Sequence, residues 1–179
     1  MKRTLTVTTA LLLFAAVLAM ASSVHLKGGP NAKPSFTDLG KILEASGALS
    51  GLGNGDVLIA LTAQANVTST CTNQGGNPAP GQNPAPITVT GSEAIPAGEI
   101  KNGTTPFDVF TNAPTSPIPG APDCANSNWT ETIDDLLFTS ATMAVQQPVG
   151  NTVLTVSCTF SSPTTNGAVP GSHVTCTQQ

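Results

Sequence analysis

Glu131, Asp134 and Asp135 form the one acidic cluster of this chain. Glycoside hydrolysis needs two carboxyl groups about 5 to 9.5 Å apart, one acting as acid and the other as nucleophile or base. On an extended strand Asp134 and Asp135 point to opposite faces, whereas Glu131 and Asp135 share a face at about 13 Å. The cluster therefore does not supply that pair by itself. It reads as a solvated strand face or a β-bulge, with a calcium site on Asp134, Asp135 and backbone carbonyls as the sharper alternative. Ser50, in Leu49-Ser50-Gly51, lacks the first glycine of a nucleophile elbow. His25 falls in an N-terminal stretch without pattern, and His173 sits beside the last cysteine. The glycine-rich run at 51–55 has no lysine after it, so it is a turn rather than a phosphate loop. No catalytic, metal or cofactor site emerges from these residues.

The cysteines are more informative. Cys71, Cys124, Cys158 and Cys176 are even in number and contain no C-x-x-C pair, and neither histidine stands at finger spacing from a cysteine. Zinc is thereby disfavoured, and two disulfides are expected. Three pairings exist. Cys158 lies in the apolar alternation of 153–160 and Cys176 in the terminal 173–177 run, so these two suit neighbouring strands. Cys71 and Cys124 flank two proline-rich stretches from outside, which favours Cys71–Cys124 with Cys158–Cys176. Each bridge is worth about 3 to 4 kcal/mol in the chain-entropy picture.

Disulfides presuppose an oxidising compartment. Residues 1–21 carry the matching address: Lys2 and Arg3, an apolar stretch at 11–20, and Ala19-Met20-Ala21 before Ser22. The apolar stretch is shorter than the about 20 residues that span a bilayer, so cleavage and release are expected rather than a retained anchor. The chain from Ser22 onward keeps four lysines, no arginine and ten acids, a net charge of −6. Nucleic-acid binding relies on clustered Lys and Arg, and so does an electrostatic grip on anionic lipid. The first is excluded as a function and the second is argued against, leaving cell-surface or matrix components, or a second copy, as expected partners.

Charge is replaced by neutral polar residues, with 26 Thr, 14 Ser and 12 Asn against 9% charged residues. Thr favours strands, while Asn, Gly and Pro mark turns. At 56–71, Val57, Ile59, Leu61, Ala63, Ala65 and Val67 alternate with polar residues, as in a half-buried strand, and Asn54-Gly55 before it reads as a hairpin turn. Further runs are expected at 87–90, 107–110, 129–145 (two strands or one bent one), 153–160 and 174–177. The 36–49 run is ambiguous between helix and strand and is assigned to strand. About seven strands in one domain imply an all-β, single antiparallel β-sandwich of immunoglobulin-like type. The expected organisation is a signal peptide at 1–21, a flexible lead-in at 22–35 and the sandwich at 36–179.

Two stretches, 75–86 and 112–123, are rich in proline and uncharged until Asp123. They are expected to be extended, polyproline-like loops, tied at their bases if Cys71 pairs with Cys124. Rigid connector and contact surface are the competing uses. Trp129, the lone tryptophan, is either a core residue or a stacking platform for a ligand such as a glycan. Core placement is the expectation. Three N-x-[ST] sequons, at Asn66, Asn102 and Asn128, are incidental in a chain so rich in Asn and Thr.

The segments SGLGNGDV (50–57), CTNQGGN (71–77), GQNPAP (81–86) and IKNG (100–103) resemble those of small exported bacterial proteins of uncharacterised function. The resemblance implies export and carries no activity, cofactor or catalytic residue. The expected function is non-enzymatic: structural, adhesive or envelope-associated, with glycan binding as the alternative and a small hydrolase last. Export makes the first prediction. Material recovered outside the cytoplasmic membrane should begin at Ser22 on N-terminal sequencing, and a sequence beginning at Met1 would contradict it.

Overall fold

A computed structural model describes residues 24–82 and 84–179, so the 1–21 segment lies outside the described residues. The chain is all-β, with two sheets and two disulfides. Among the described residues no helix is long and apolar enough to cross a membrane. The first sheet holds β1 (His25–Leu26), β2 (Ser35–Asp38), β3 (Leu43–Ser50), β7 (Thr104–Phe110) and β11 (Gly167–Ala168). The second holds β4 (Val57–Thr72), β5 (Pro78–Pro80), β6 (Ile87–Ile95), β8 (Ile118–Pro119), β9 (Thr130–Gln146), β10 (Thr152–Phe160) and β12 (Val174–Gln178).

Among the described residues twelve strands replace the expected seven or so. The additional ones are short and carry no alternation of their own, because a partner strand rather than a buried face defines them. The 36–49 run is extended, as expected, but it is a hairpin: β2 and β3 pair from Ser35↔Ser46 to Asp38↔Leu43 around a turn at Gly40, whose φ is +85°. The expected flexible lead-in is also corrected. β1 pairs with the end of β3, and Val24 and Leu26 are buried in the core. Asn54-Gly55 makes no hairpin, since β3 and β4 belong to different sheets. The two-residue hairpin loop is Asn102-Gly103, with φ of 52° and 68° and reciprocal hydrogen bonds between Lys101 and Thr104 of 2.9 and 3.0 Å.

Both sheets bury one continuous core. Phe36, Leu43, Leu49, Phe107 and Val109 from the first sheet belong to the same apolar cluster as Val57, Ile59, Leu61, Leu136, Phe138 and Val156 from the second. Phe36 and Phe160 meet edge to face across the layers, with ring centroids 5.2 Å apart. β4 keeps the expected odd-numbered inner face, with Val57, Ile59, Leu61, Ala63 and Ala65 buried. β9 is one strand with two irregularities. Its register against β4 shifts between Ser140 and Phe138 and again between Asp135 and Ile133. Each β-bulge reverses the parity of the inner face, which passes from Ile133 to Leu136 and Phe138, then to Ala141, Met143 and Val145.

The sheets are joined along their edges by side-chain and backbone hydrogen bonds. At one seam the Asp108 N–H donates to Glu93 and the Asn112 N–H to the Thr90 carbonyl, at 2.9 and 2.8 Å. At the other, Gln178 accepts from the Leu26 N–H and donates to the Pro30 and Ala32 carbonyls. The first seam needs Gly91, because a Cβ there would lie 1.8 Å from the Phe110 carbonyl oxygen. Gly91→Ala should therefore destabilise the protein by about 3 kcal/mol in chemical denaturation. Gly98→Ala, with nothing within 4 Å of its added carbon, should change stability by less than about 1 kcal/mol. Equal effects would remove the seam from the account.

Candidate functional site

The two proline-rich stretches converge on one end of the second sheet, where β4 finishes and β9 begins. There the ladder runs Ser69↔Ile133, Thr70↔Thr132, Cys71↔Glu131 and Thr72↔Thr130. The first stretch lays β5 along β4, with Thr70↔Pro80 and Thr72↔Pro78. The second lays β8 along β9, with Ile118↔Glu131 and Pro119↔Thr130. These stretches were expected to be loops without strand structure, and short strand pairing corrects that. Proline lacks an N–H, so it fits a strand whose donor side faces solvent. The turn into β5 is organised by Asn73, whose Oδ1 accepts from the Gly75 and Asn77 N–H groups at 2.9 and 3.0 Å.

Further contacts fasten the stretches to the sheet and to each other. The Gly81 N–H donates to the Ser69 carbonyl at 2.8 Å, the Gln82 N–H to the Asp123 carbonyl at 3.1 Å, and the Ile133 N–H to Ser116 Oγ at 3.1 Å. Cys71 is bonded to Cys124 across 5.8 Å between Cα atoms. Cys158 is bonded to Cys176, directly opposite in the β10–β12 ladder.

At this end of the ladder lie two buried polar side chains with unmet demands. Ser69 and Glu131 are 6% and 1% exposed, and Ser69 Oγ and Glu131 Oε2 have no hydrogen-bond partner. Leaving such an atom unpartnered costs about 1 to 3 kcal/mol. Gly81 sits directly over Ser69, since a Cβ on it would come within 2.1 Å of Ser69 Oγ. Trp129 stands at the entrance to β9, with its N–H on the Asn126 carbonyl at 3.2 Å. It is half-buried and outside the apolar core cluster, so the expected core placement is not what the structure contains. The run of polar residues ahead of it, Asn126-Ser127-Asn128, is the signal that it begins a strand from a loop.

The acidic cluster is divided by the first β9 bulge. Glu131 faces inward, and Asp134 is exposed and accepts from Thr70 Oγ at 2.6 Å. Asp135 meets a different group of residues at the β2–β3 turn, which sequence reasoning missed. Asp38, 1% exposed, accepts from the Gly40 N–H at 2.9 Å and from the Thr164 hydroxyl, which itself accepts from the Phe138 N–H at 2.9 Å. Asp135 Oδ1 is buried without a partner beside Gly40, with Asn166 Oδ1 close by. Among the described residues no group of three or more His, Cys, Asp or Glu side chains is placed to hold a metal ion. His25 lies opposite Ser50 in the β1–β3 ladder, and Ser50 Oγ is 3.4 Å from Thr104 Oγ, not raised on a strand-to-helix turn. His173 is exposed at the end of a short 3₁₀ turn.

At the opposite end of the molecule, a cavity of about 350 Å³ lies under the 51–55 run, lined by Val24, Leu52, Pro148 and Val153 among others. Gln147 shapes it. Its Oε1 accepts from the Gly53 N–H at 2.7 Å, and its Nε2 donates to the Gly53 and Gly55 carbonyls at 3.1 and 2.7 Å, so one side-chain amide stands in for a strand.

Comparison with family models, with curated proteins and with solved structures gives no match to this chain. Fold and site alone therefore define its class: a two-sheet, all-β, disulfide-stapled protein whose most elaborated end is built from neutral proline-rich segments.

Burial lifts the Asp38 carboxyl above its ordinary value of 3.8, and nearby Asp135 adds to the rise, while the hydrogen bonds from Thr164 and Gly40 oppose it. The folded state thus holds this proton more tightly than the unfolded chain. Its contribution to stability is present below 3.8 and is lost as pH rises through the folded value. The thermal midpoint of the wild type relative to Asp38→Asn should fall as pH rises from below 3.8 through the folded value, and then level off. A difference that is flat or rises with pH would contradict this assignment.

Proposed function

We propose that this chain is an exported, non-enzymatic protein with a structural or adhesive role at the cell envelope, and that the proline-rich end is its contact surface. The supporting observation is the Cys71–Cys124 bridge, which fixes two sequence-distant segments, uncharged up to Asp123, side by side on one end of a double sheet. Loops positioned by a rigid scaffold are where binding surfaces arise. An immunoglobulin-like relationship of the two sheets belongs to the same proposal. The division of Glu131, Asp134 and Asp135 among three environments argues against a hydrolase built on that cluster.

Trp129 favours a second reading, a module for neutral glycans. It is half-buried beside the contact end and outside the core cluster, and an indole left partly exposed can stack on a sugar ring. Both readings meet in one experiment. Wild-type protein should co-sediment with envelope fragments or polysaccharide, and Trp129→Ala should weaken retention while lowering stability by only about 1 kcal/mol, against about 3 to 5 for a core aromatic. Retention that survives Trp129→Ala but is lost when 112–122 is replaced by a Gly/Ser segment would favour the adhesive reading over the glycan one. A wild type that stays monomeric and binds neither material would end both.

A further inference from the structure

We propose that Cys71–Cys124 is a redox latch that holds the proline-rich segments closed over Glu131 and Ser69, and that reduction opens this end while the double sheet stays folded. As regulation of the contact surface it rests on the reading proposed above; as a conformational change it does not. Three observations carry it. The cover strands are short, three residues in β5 and two in β8. Gly81 of the first segment lies directly over Ser69 Oγ, and this atom and Glu131 Oε2 are buried at the same end of the ladder with no hydrogen bond in exchange for water. The bridge spans 53 residues of sequence, so it removes much of the freedom that the segments would gain by separating. Opening rehydrates two polar groups at the cost of a few backbone hydrogen bonds. The covalent link opposes it.

A dithiol is the class of reductant required. One thiolate attacks Cys124 Sγ, since Cys124 is half-buried and Cys71 almost wholly buried. The S–S bond breaks, and Cys71 departs as a thiolate and takes up a proton. The second thiol of the reductant then displaces Cys124 as a thiol, and the reductant leaves as a disulfide. The other bridge has a different consequence. Cys158 and Cys176 lie within a continuous five-pair ladder from Val156↔Gln178 to Phe160↔Val174, so their strands remain paired without it.

The test is hydrogen exchange by mass spectrometry on the full chain during dithiothreitol titration, with alkylation reporting which cysteines are free. When Cys71 becomes alkylatable, exchange in 73–86 and 112–129 should rise by about tenfold or more, while β9, β10 and β12 keep their protection. The Cys71→Ala/Cys124→Ala double variant should reproduce this opening without reductant, which separates it from any effect of the second bridge. Glu131→Leu should suppress it, with the isosteric Glu131→Gln intermediate, because the polar group that gains from hydration is gone. Reduced protein with protected segments, a Glu131→Leu chain that opens as readily as wild type, or global unfolding on reduction would each overturn the latch. Exchange is read with no ligand present, so failed envelope or glycan binding would count against the contact surface and not against the latch.

Discussion

The pairing of β4 with β9 is the constraint on which the other parts rest. Two strands of 16 and 17 residues run antiparallel over nearly their whole length. Their inner faces supply the floor of the core at one end and the Cys71, Ser69 and Glu131 group at the other. A ladder this long twists, and a straight one would carry its far end out from under the opposite sheet. The two β9 bulges bend it and re-aim its side chains. As a result Leu136 and Phe138 enter the core although three consecutive apolar residues, Leu136 to Phe138, cannot all face inward.

The outer strands are secondary to that spine, and at several places side chains acting as pieces of backbone add to their ladders. Gln147 makes three amide contacts to the glycine-rich connection, Gln178 makes three to the N-terminal segment, and Glu93 reaches the β7 backbone. Neutral amides satisfy both donors and acceptors, whereas an ammonium or carboxylate satisfies only one kind. A chain with 9% charged residues and abundant amides therefore loses nothing needed for joining sheet edges.

Much of this fold was legible from local pattern. The alternation at 57–67 identifies the inner face of β4 because every second residue meets the same sheet. The disulfide partners followed from cysteines placed on neighbouring strands and at the bases of matching segments. The rest depended on partners distant in sequence. β1, β5, β8 and β11 exist only because another strand offers a ladder, and Gly91 is needed only because Phe110 passes beneath it. Trp129 was assigned inward because a lone large aromatic usually is, yet it precedes the first paired residue of β9 and lies outside the core cluster. Asp38 carried no motif, and its importance came from Thr164, 126 positions away.

Pro78 and Pro80 have a consequence for assembly. An incoming chain aligned along β5 would find acceptors but no donors at two of its three residues, and β6 and β7 turn their edges toward each other across the first seam. Sheet growth from molecule to molecule is thereby hindered at those edges. If copies of this protein build a filament, its subunits join through loops or surfaces as beads do, and fibre diffraction would lack the reflection near 4.7 Å that marks continuous cross-β stacking.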